Sequence, residues 1–571
     1  MSSVTAPTSA GSHLTARTGG QVLIDQLFIH GVDHVFGVPG ESYLAALDAL
    51  HDARNAIKFV ICRQEGGAAN MAEAYGKLTG KPGICFVTRG PGATNASIGV
   101  HTGFQDSTPM IVLVGQVARD QEEREAFQEI DYRRMFGPMT KWVAQIEDAR
   151  RIPELISQAF HRAMSGRPGP VVLALPEDML TDIVEVPDAP HYKTVRSAPD
   201  PEDMDRLRAL IGEASDPIVL LGGGGWTLQA TADIKAFIEA NELPVATAFR
   251  NADLIDNRHP NYLGNLSSSA SAYLQDRILK SDLILAIGPR LGEQTTRGYA
   301  LFEVPVPRQR LIHVHGGADE LGRVYHATLP INSGMAQFAR AAKAMKPAGR
   351  RPWAARVKEG NDAYLESIAP MPSRSAVDMV AIVRWLNERL PADALISNGA
   401  GNYSGWVSRF FQYRCLRSQL APTSGAMGYG VPAGVAAKIV QPTRMVVTFA
   451  GDGCFLMNGQ EFATAVQYGA NVIVVVVDNS MYGTIRMHQE REYPTRTIGT
   501  ELRNPDFAVY ARAFGGHGET VVKTDEFAPA FERCVVSKMP SIIHVKMDPD
   551  DVSPRTTLSK VREAALKRLK K

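Results

Sequence analysis

Cysteine is scarce in this sequence. There are five in 571 residues, and Cys62, Cys85, Cys415, Cys454 and Cys534 are scattered, with no CxxC pair or Cys/His cluster. That excludes a disulfide framework and a structural zinc site, and it fits a reducing, cytoplasmic setting. Excess charge of either sign is also missing, with 61 Lys and Arg against 60 Asp and Glu. No charge field therefore argues for nucleic acid or a membrane surface as partner. No apolar run approaches the roughly 20 residues of a membrane helix. The opening MSSVTAPTSAGSH has neither the charged n-region nor the apolar h-region of a signal peptide. Residues 1–14 read instead as a disordered lead-in. What the chain does have is length: 571 residues exceed what one core organises, so three or four domains are expected.

Short β-branched runs, each broken by a glycine turn and followed by a helical pattern, recur along the chain. In the first third such runs are His34 to Val38, Lys58 to Ile61, Gly83 to Thr88 and Met110 to Gly115. This repeat is the pattern of a doubly wound parallel sheet. Residues 15–185 form one such domain and residues 201–345 a second, with strands at Pro217 to Leu221 and Leu283 to Gly288. Residues 373–550 form a third. The fold class expected is α/β, with three doubly wound parallel-sheet domains. The proline-bearing stretch 186–200 and the basic stretch 346–372 read as linkers, and residues 551–571 end in a basic amphipathic helix.

The densest chemistry lies between Val446 and Gly483. A buried-type strand, Met445 to Ala450, runs into Gly451-Asp452-Gly453. Helical spacing follows from Phe455 to Tyr468, and a second strand, Val472 to Val477, ends at Asp478-Asn479. A right-handed crossover puts Asp452 and Asn479 at the same sheet edge, where doubly wound sheets bind ligands. A carboxylate, an amide oxygen and a free backbone carbonyl suit a hard cation such as Mg²⁺, which shares its shell with phosphate oxygens. Gly-Asp-Gly by itself is a surface turn in many loops; the whole strand-turn-helix-strand-Asn series is not.

Gly451-Asp452-Gly453, 25 further residues and then Asn479 resemble the thiamine diphosphate (ThDP) binding motif. The resemblance extends to the acetolactate synthase catalytic subunit through Gly90-Pro91-Gly92-Ala93-Thr94-Asn95, Asp106-Ser107-Thr108-Pro109-Met110, Ala126-Phe127-Gln128-Glu129 with Thr140-Lys141, and Arg167-Pro168-Gly169-Pro170. It implies pyrimidine-binding, central and diphosphate-binding domains. It also implies that Asp452, Asn479 and the carbonyl of Met481 hold Mg²⁺ on the cofactor diphosphate, near Gly451, Gly453, Cys454 and Gly483. Gly401-Asn402-Tyr403 stand where the family has Gly-Gln-His against the diphosphate. Met427, after Gly425, stands where a bulky apolar residue props the cofactor into its bent shape. Glu65, otherwise an acid favoured at a helix N-terminus, stands where a Glu bonds the aminopyrimidine ring and promotes its imino tautomer. Phe127 and Gln128 are implied to line the active site, with Lys141 on the same side.

Two departures qualify the resemblance. The family has a Trp at the place of His488, where it shapes the acceptor pocket, so the acceptor is open. In the central domain FAD is a family cofactor, but the acids expected after the strand at Leu311 are replaced by His315 and Gly317. An empty domain or an ADP-like group is therefore expected ahead of FAD. Glu65 and Asp452 fall in different domains, which implies a homodimer or homotetramer with the active site at the subunit interface. The activity implied is decarboxylation of a 2-keto acid such as pyruvate and ligation to a carbonyl acceptor. A 2-hydroxyacyl-CoA or oxalyl-CoA type lyase and a catalytically silent regulatory subunit are the alternatives.

Overall fold

The computed structural model describes residues 15–267 and 269–570; the lead-in expected over residues 1–14 lies outside them. Three six-stranded sheets carry the chain, and every strand pair within them is parallel. Central strands such as Met110–Gln116 and Ile473–Asp478 are buried along their whole length. That is why they read as unbroken apolar runs and not as alternating ones.

Counted within each domain, the first and third sheets share the strand order 2-1-3-4-6-5, while the central sheet runs 3-2-1-4-5-6. In the third sheet, Leu395–Asn398 lies beside Val446–Gly451 and their connections leave to opposite sides. That switch point opens a crevice at the carboxyl ends of both strands. The first and third domains also share a core. Small-residue helices Glu65–Thr79 and Gly430–Val440 pack into one apolar cluster with Phe36, Phe455 and Phe462. A buried polar clasp crosses the same seam. Glu73 accepts from Thr108 (2.6 Å) and from the Tyr429 hydroxyl (2.6 Å), while Lys77 donates to the Ala421 carbonyl (2.9 Å).

Two segments differ from the sequence reading. The helix expected from Phe455 to Tyr468 is two, Asp452–Asn458 and Glu461–Gln467. They break at Gly459, where a Cβ would lie 2.6 Å from the Phe455 ring. The stretch 346–372 contains a 14-residue helix, Ala354–Ser367. It is anchored by Trp353, which is fully buried and whose indole N–H reaches the Glu242 carbonyl at 3.0 Å. One aromatic anchor outweighs a composition that reads as linker. The C-terminal helix Leu558–Leu569 lies on helix Gly483–Glu492, where Arg562 donates to the buried Glu490 at 2.6 Å.

Candidate active site

At the switch point of the third sheet the chain leaves Leu395–Asn398 through Gly399 to Tyr403. Gly401 has φ 142°, open to glycine and strained for other residues. Tyr403 turns inward. Its hydroxyl donates to Cys454 Sγ at 3.3 Å, and its ring lies 2.9 Å from where a Cβ on Gly401 or Gly451 would stand. Cys454 also accepts from the Gly428 N–H at 3.2 Å, and burial pushes its thiol up. It is therefore a neutral spacer. Asn402 donates its N–H to the Thr484 hydroxyl, which donates back to the Asn402 side-chain oxygen, both at 3.0 Å. This ties the loop to helix Gly483–Glu492. These residues, with Gly425, Met427, Gly451 to Cys454, Asn479, Met481 and Gly483, line one cavity of about 790 Å³.

Parallel pairing sets Gly451 opposite Val477, so Asp452 and Asp478 meet at the same edge. The Asn504 amide N–H₂ bridges them, at 2.7 Å to Asp452 and 2.8 Å to Asp478. Burial pushes the Asp452 carboxyl up to about 6. Burial also acts on Asp478, but the His544 imidazole (2.8 Å), the Ser480 N–H and the Asn504 amide hold it well below the usual carboxylate range. Asn504 Oδ1 is buried with no hydrogen-bond partner. Sequence reading missed Asn504, which stands 52 residues beyond Asp452 and in no motif spacing. The Met481 carbonyl accepts from the Gly483 N–H at 2.8 Å, which leaves its second lone pair.

Glu65 opens helix Glu65–Thr79 in the first domain. Its carboxylate accepts from Asn95 at 2.9 Å and lies over the first turn of helix Gly90–Asp106, 3.5 Å from a Cβ built on Gly92. Gln128 adopts φ 67° and gives its carbonyl to the Gly90 N–H at 2.9 Å, while Phe127 beside it is 73% exposed. Glu65, Phe127 and Gln128 thus gather at one edge of the first sheet, outside the cavity that holds Asp452 in the same chain. A further residue, Glu461, was not anticipated. It reaches from the third domain, fully buried, and accepts from the Arg63 N–H (2.9 Å), the Gln64 N–H (3.0 Å) and the Thr464 hydroxyl (2.6 Å). It clamps the turn that presents Glu65. Lys141 departs from expectation. Its N–H pairs with Pro170 at the start of strand Pro170–Pro176, the opposite sheet edge from Glu65, and its ammonium bonds the Ser165 carbonyl at 2.5 Å.

Three family models cover the chain in the same order as the three sheets. They are the N-terminal TPP binding domain of thiamine pyrophosphate enzymes over residues 17–135, the central domain over 204–342 and the C-terminal TPP binding domain over 399–545. The chain belongs to the thiamine pyrophosphate enzyme family. Among its relatives, the acetolactate synthase of Arthrospira platensis is 31% identical over 562 residues, spanning 94% of this chain and 95% of that one. The acetolactate synthase large subunit of Lactococcus lactis is 31% identical over 512 residues, 87% of each chain. The isozyme 2 large subunit of Escherichia coli strain K12 is 29% identical over 535 residues, 93% and 95% of the two chains. The protein is accordingly a ThDP-dependent enzyme of the transferase or lyase type.

The cavity residues fit that cofactor. Gly401 and Gly425 (φ 68°) keep the wall free of side chains. Asp452, buried and raised, supplies a hard oxygen donor where a cation would relieve the cost of burying charge, and Asn479 lines the same cavity. Among the described residues no group of three or more His, Cys, Asp or Glu is arranged to hold a metal ion, so a metal here would draw on amide and backbone oxygens as well. His488 lines the same cavity beside Arg491 (3.2 Å), and burial with that neighbour lowers its pKa. In the central domain a second cavity, about 390 Å³, opens at the ends of Pro217–Leu221, Leu283–Ile287 and Arg310–His315. The first buried acid beyond the last of these, Glu320, is bound by Arg167 at 2.7 Å.

Proposed function

We propose that this enzyme uses ThDP and Mg²⁺ to decarboxylate a 2-keto acid such as pyruvate and to join the remaining acyl unit to a carbonyl acceptor, as an acetolactate synthase-like carboligase. The observation that carries the reading is the convergence of the Gly401 to Tyr403 loop, Met427 and the Gly451 to Asn479 unit on one cavity. ThDP, when bound, supplies a nucleophilic carbon and an electron sink for the departing carboxyl group. Asp452, Asn479 and the Met481 carbonyl hold Mg²⁺ and through it the diphosphate. Met427, in the cavity wall, would pack against the apolar part of the cofactor and help to orient it. Glu65 holds or releases a proton at the ring nitrogen it bonds. Asn95 donates to the carboxylate at 2.9 Å and fixes its orientation.

Because Glu65 does not line the Asp452 cavity of its own chain, the complete site is assembled between two copies, as a homodimer or homotetramer. Arg491, which lines the cavity beside His488, favours one second reading, a lyase acting on a CoA thioester, whose anionic groups a guanidinium would suit. The deciding experiment supplies pyruvate, Mg²⁺ and ThDP and follows acetolactate. Acetolactate formation supports the proposal. Release of CO₂ without acetolactate, or no turnover, sinks it.

A further inference from the structure

The catalytic cavity and the central-domain cavity meet at only two residues, Arg250 and Gln419. Gln419 is committed, since its side-chain oxygen accepts from the Ala252 N–H at 2.8 Å. Arg250 is less bound. It sits in a turn closed by the Asn251 N–H on the Ala248 carbonyl (3.1 Å), and its own backbone is left-handed, φ 61°. A long side chain in that region is strained and persists where the surroundings impose it, often at ligand sites. The turn drives the side chain away from its own sheet and against the third domain. There the guanidinium donates to the Gly399 carbonyl at 3.1 Å, lies at the edge of reach of the Ser404 hydroxyl (3.5 Å) and stacks on the Phe249 ring with 5.0 Å to the centroid.

Among the described residues Arg250 makes no ion pair with a carboxylate. The acid whose field it feels, Asp106, is taken up by Lys77 and by the Thr423 N–H at 2.7 Å. Arg167, on the far side of the adjoining cavity, shows the usual arrangement, paired to buried Glu320 at 2.7 Å. A guanidinium stays charged and carries five N–H donors in a planar fork. Most of Arg250's are uncommitted, and desolvation makes the charge costly without a counter-ion. The wall it occupies faces the loop that begins at Gly399, while Asp452 and Asn479, the oxygen donors proposed for Mg²⁺, line the same cavity from the ends of their own strands.

We propose that Arg250 is the anion receptor of the catalytic cavity and binds the carboxylate of the substrate through its planar fork. The proposal rests on the reading of the cavity as a keto-acid site and deepens it: the preferred substrates carry a carboxylate beside the reacting carbonyl. The cofactor diphosphate is the other anion that could reach this charge, and binding measurements separate the two.

Holoenzyme loaded with Mg²⁺ and ThDP is titrated calorimetrically with oxalate, an unreactive dicarboxylate, and with oxamide, its uncharged counterpart. Arg250→Met should weaken oxalate roughly tenfold to a hundredfold, the range of a hydrogen-bonded charge pair. It should leave oxamide and the ThDP dissociation constant unchanged. Arg250→Lys, which keeps the charge without the fork, should lose roughly threefold to tenfold and decides the matter if the Met variant does not fold. A weakened ThDP constant with unchanged oxalate binding overturns the proposal in favour of the diphosphate, and no change in either overturns it outright. Turnover separates it from the functional reading. If wild type binds oxalate through Arg250 but converts no pyruvate, the activity is wrong and the receptor stands. If it makes acetolactate with the same KM in Arg250→Met, the activity stands and the receptor is wrong.

Discussion

At the scale of single residues, charge and burial decide what each acid and base can do. Glu65 is presented by a helix start and oriented by Asn95, not by a metal or an ion pair. Glu65→Gln is therefore expected to lower ThDP-dependent turnover by about a hundredfold or more, the usual scale of a lost proton-transfer group. The Mg²⁺-ThDP dissociation constant, read by calorimetry, should hold. Full activity in this variant would remove Glu65 from the proton path. Lys141 gives a pH prediction of opposite character. Burial, with Arg167 and Arg162 nearby, lowers it from 10.5 to about 8. The folded state thus disfavours its charge, the cost is fully present below pH 8, and it fades as pH rises from there towards 10.5. Lys141→Met should melt no lower than the parent at pH 7, with any advantage closing by about pH 10. A variant that melts lower at pH 7 and gains nothing with pH would show that the bond to Ser165 outweighs the desolvation. Glu65 was marked out only through the resemblance, while the common sheet edge of Asp452 and Asn479 was legible because their spacing to strand ends is local. Asn504 was not, because it reaches Asp452 through a loop whose path is set by tertiary packing.

At the scale of elements, buried parallel strands were the clearest signal, since burial on both faces writes itself as continuous apolar sequence. Helix limits were less clear. The break at Gly459 follows from a collision with the Phe455 ring, and helix Ala354–Ser367 depends on Trp353 finding a pocket, which no local pattern records. That break has a consequence, because it starts the short helix that carries Glu461 to the Arg63–Gln64 turn. Burial pushes the Glu461 carboxyl up, while the Thr464 hydroxyl and the N–H groups of Arg63 and Gln64 oppose the shift. Glu461→Gln keeps one acceptor oxygen for the Arg63 and Gln64 N–H groups but turns a donor towards the Thr464 hydroxyl, which must then accept. It should cost about 1–3 kcal/mol of stability in denaturant titration and lower kcat with little change in KM for the keto acid. An unchanged kcat would show that the turn holds Glu65 without this clamp.

At the scale of the whole molecule, the first and third domains share a core and a strand order, yet within one chain Glu65 stays outside the Asp452 cavity. Assembly between copies gives a direct test. Glu65→Gln and Asp452→Asn are each expected to be inactive as purified. Unfolded together and refolded as a mixture, they should recover about a quarter of parental activity. Half of random dimers are mixed, and one of the two sites in each mixed dimer is intact. A mixture that stays inactive, with both variants folded and dimeric, would place the whole site within one chain.

The sequence by itself determined the fold class and, through its resemblance to a known family, the ThDP cofactor. These rest on strand-turn-helix units whose residues lie close along the chain, so spacing alone positions them. Only the tertiary structure decided what joins distant segments. It put Lys141 at the far edge of its sheet, and it brought Glu461 to the Glu65 turn, Asn504 to Asp452 and Arg250 to the junction of two cavities. Those placements depend on how three sheets pack, and packing energy is spread over many buried contacts that no short motif encodes.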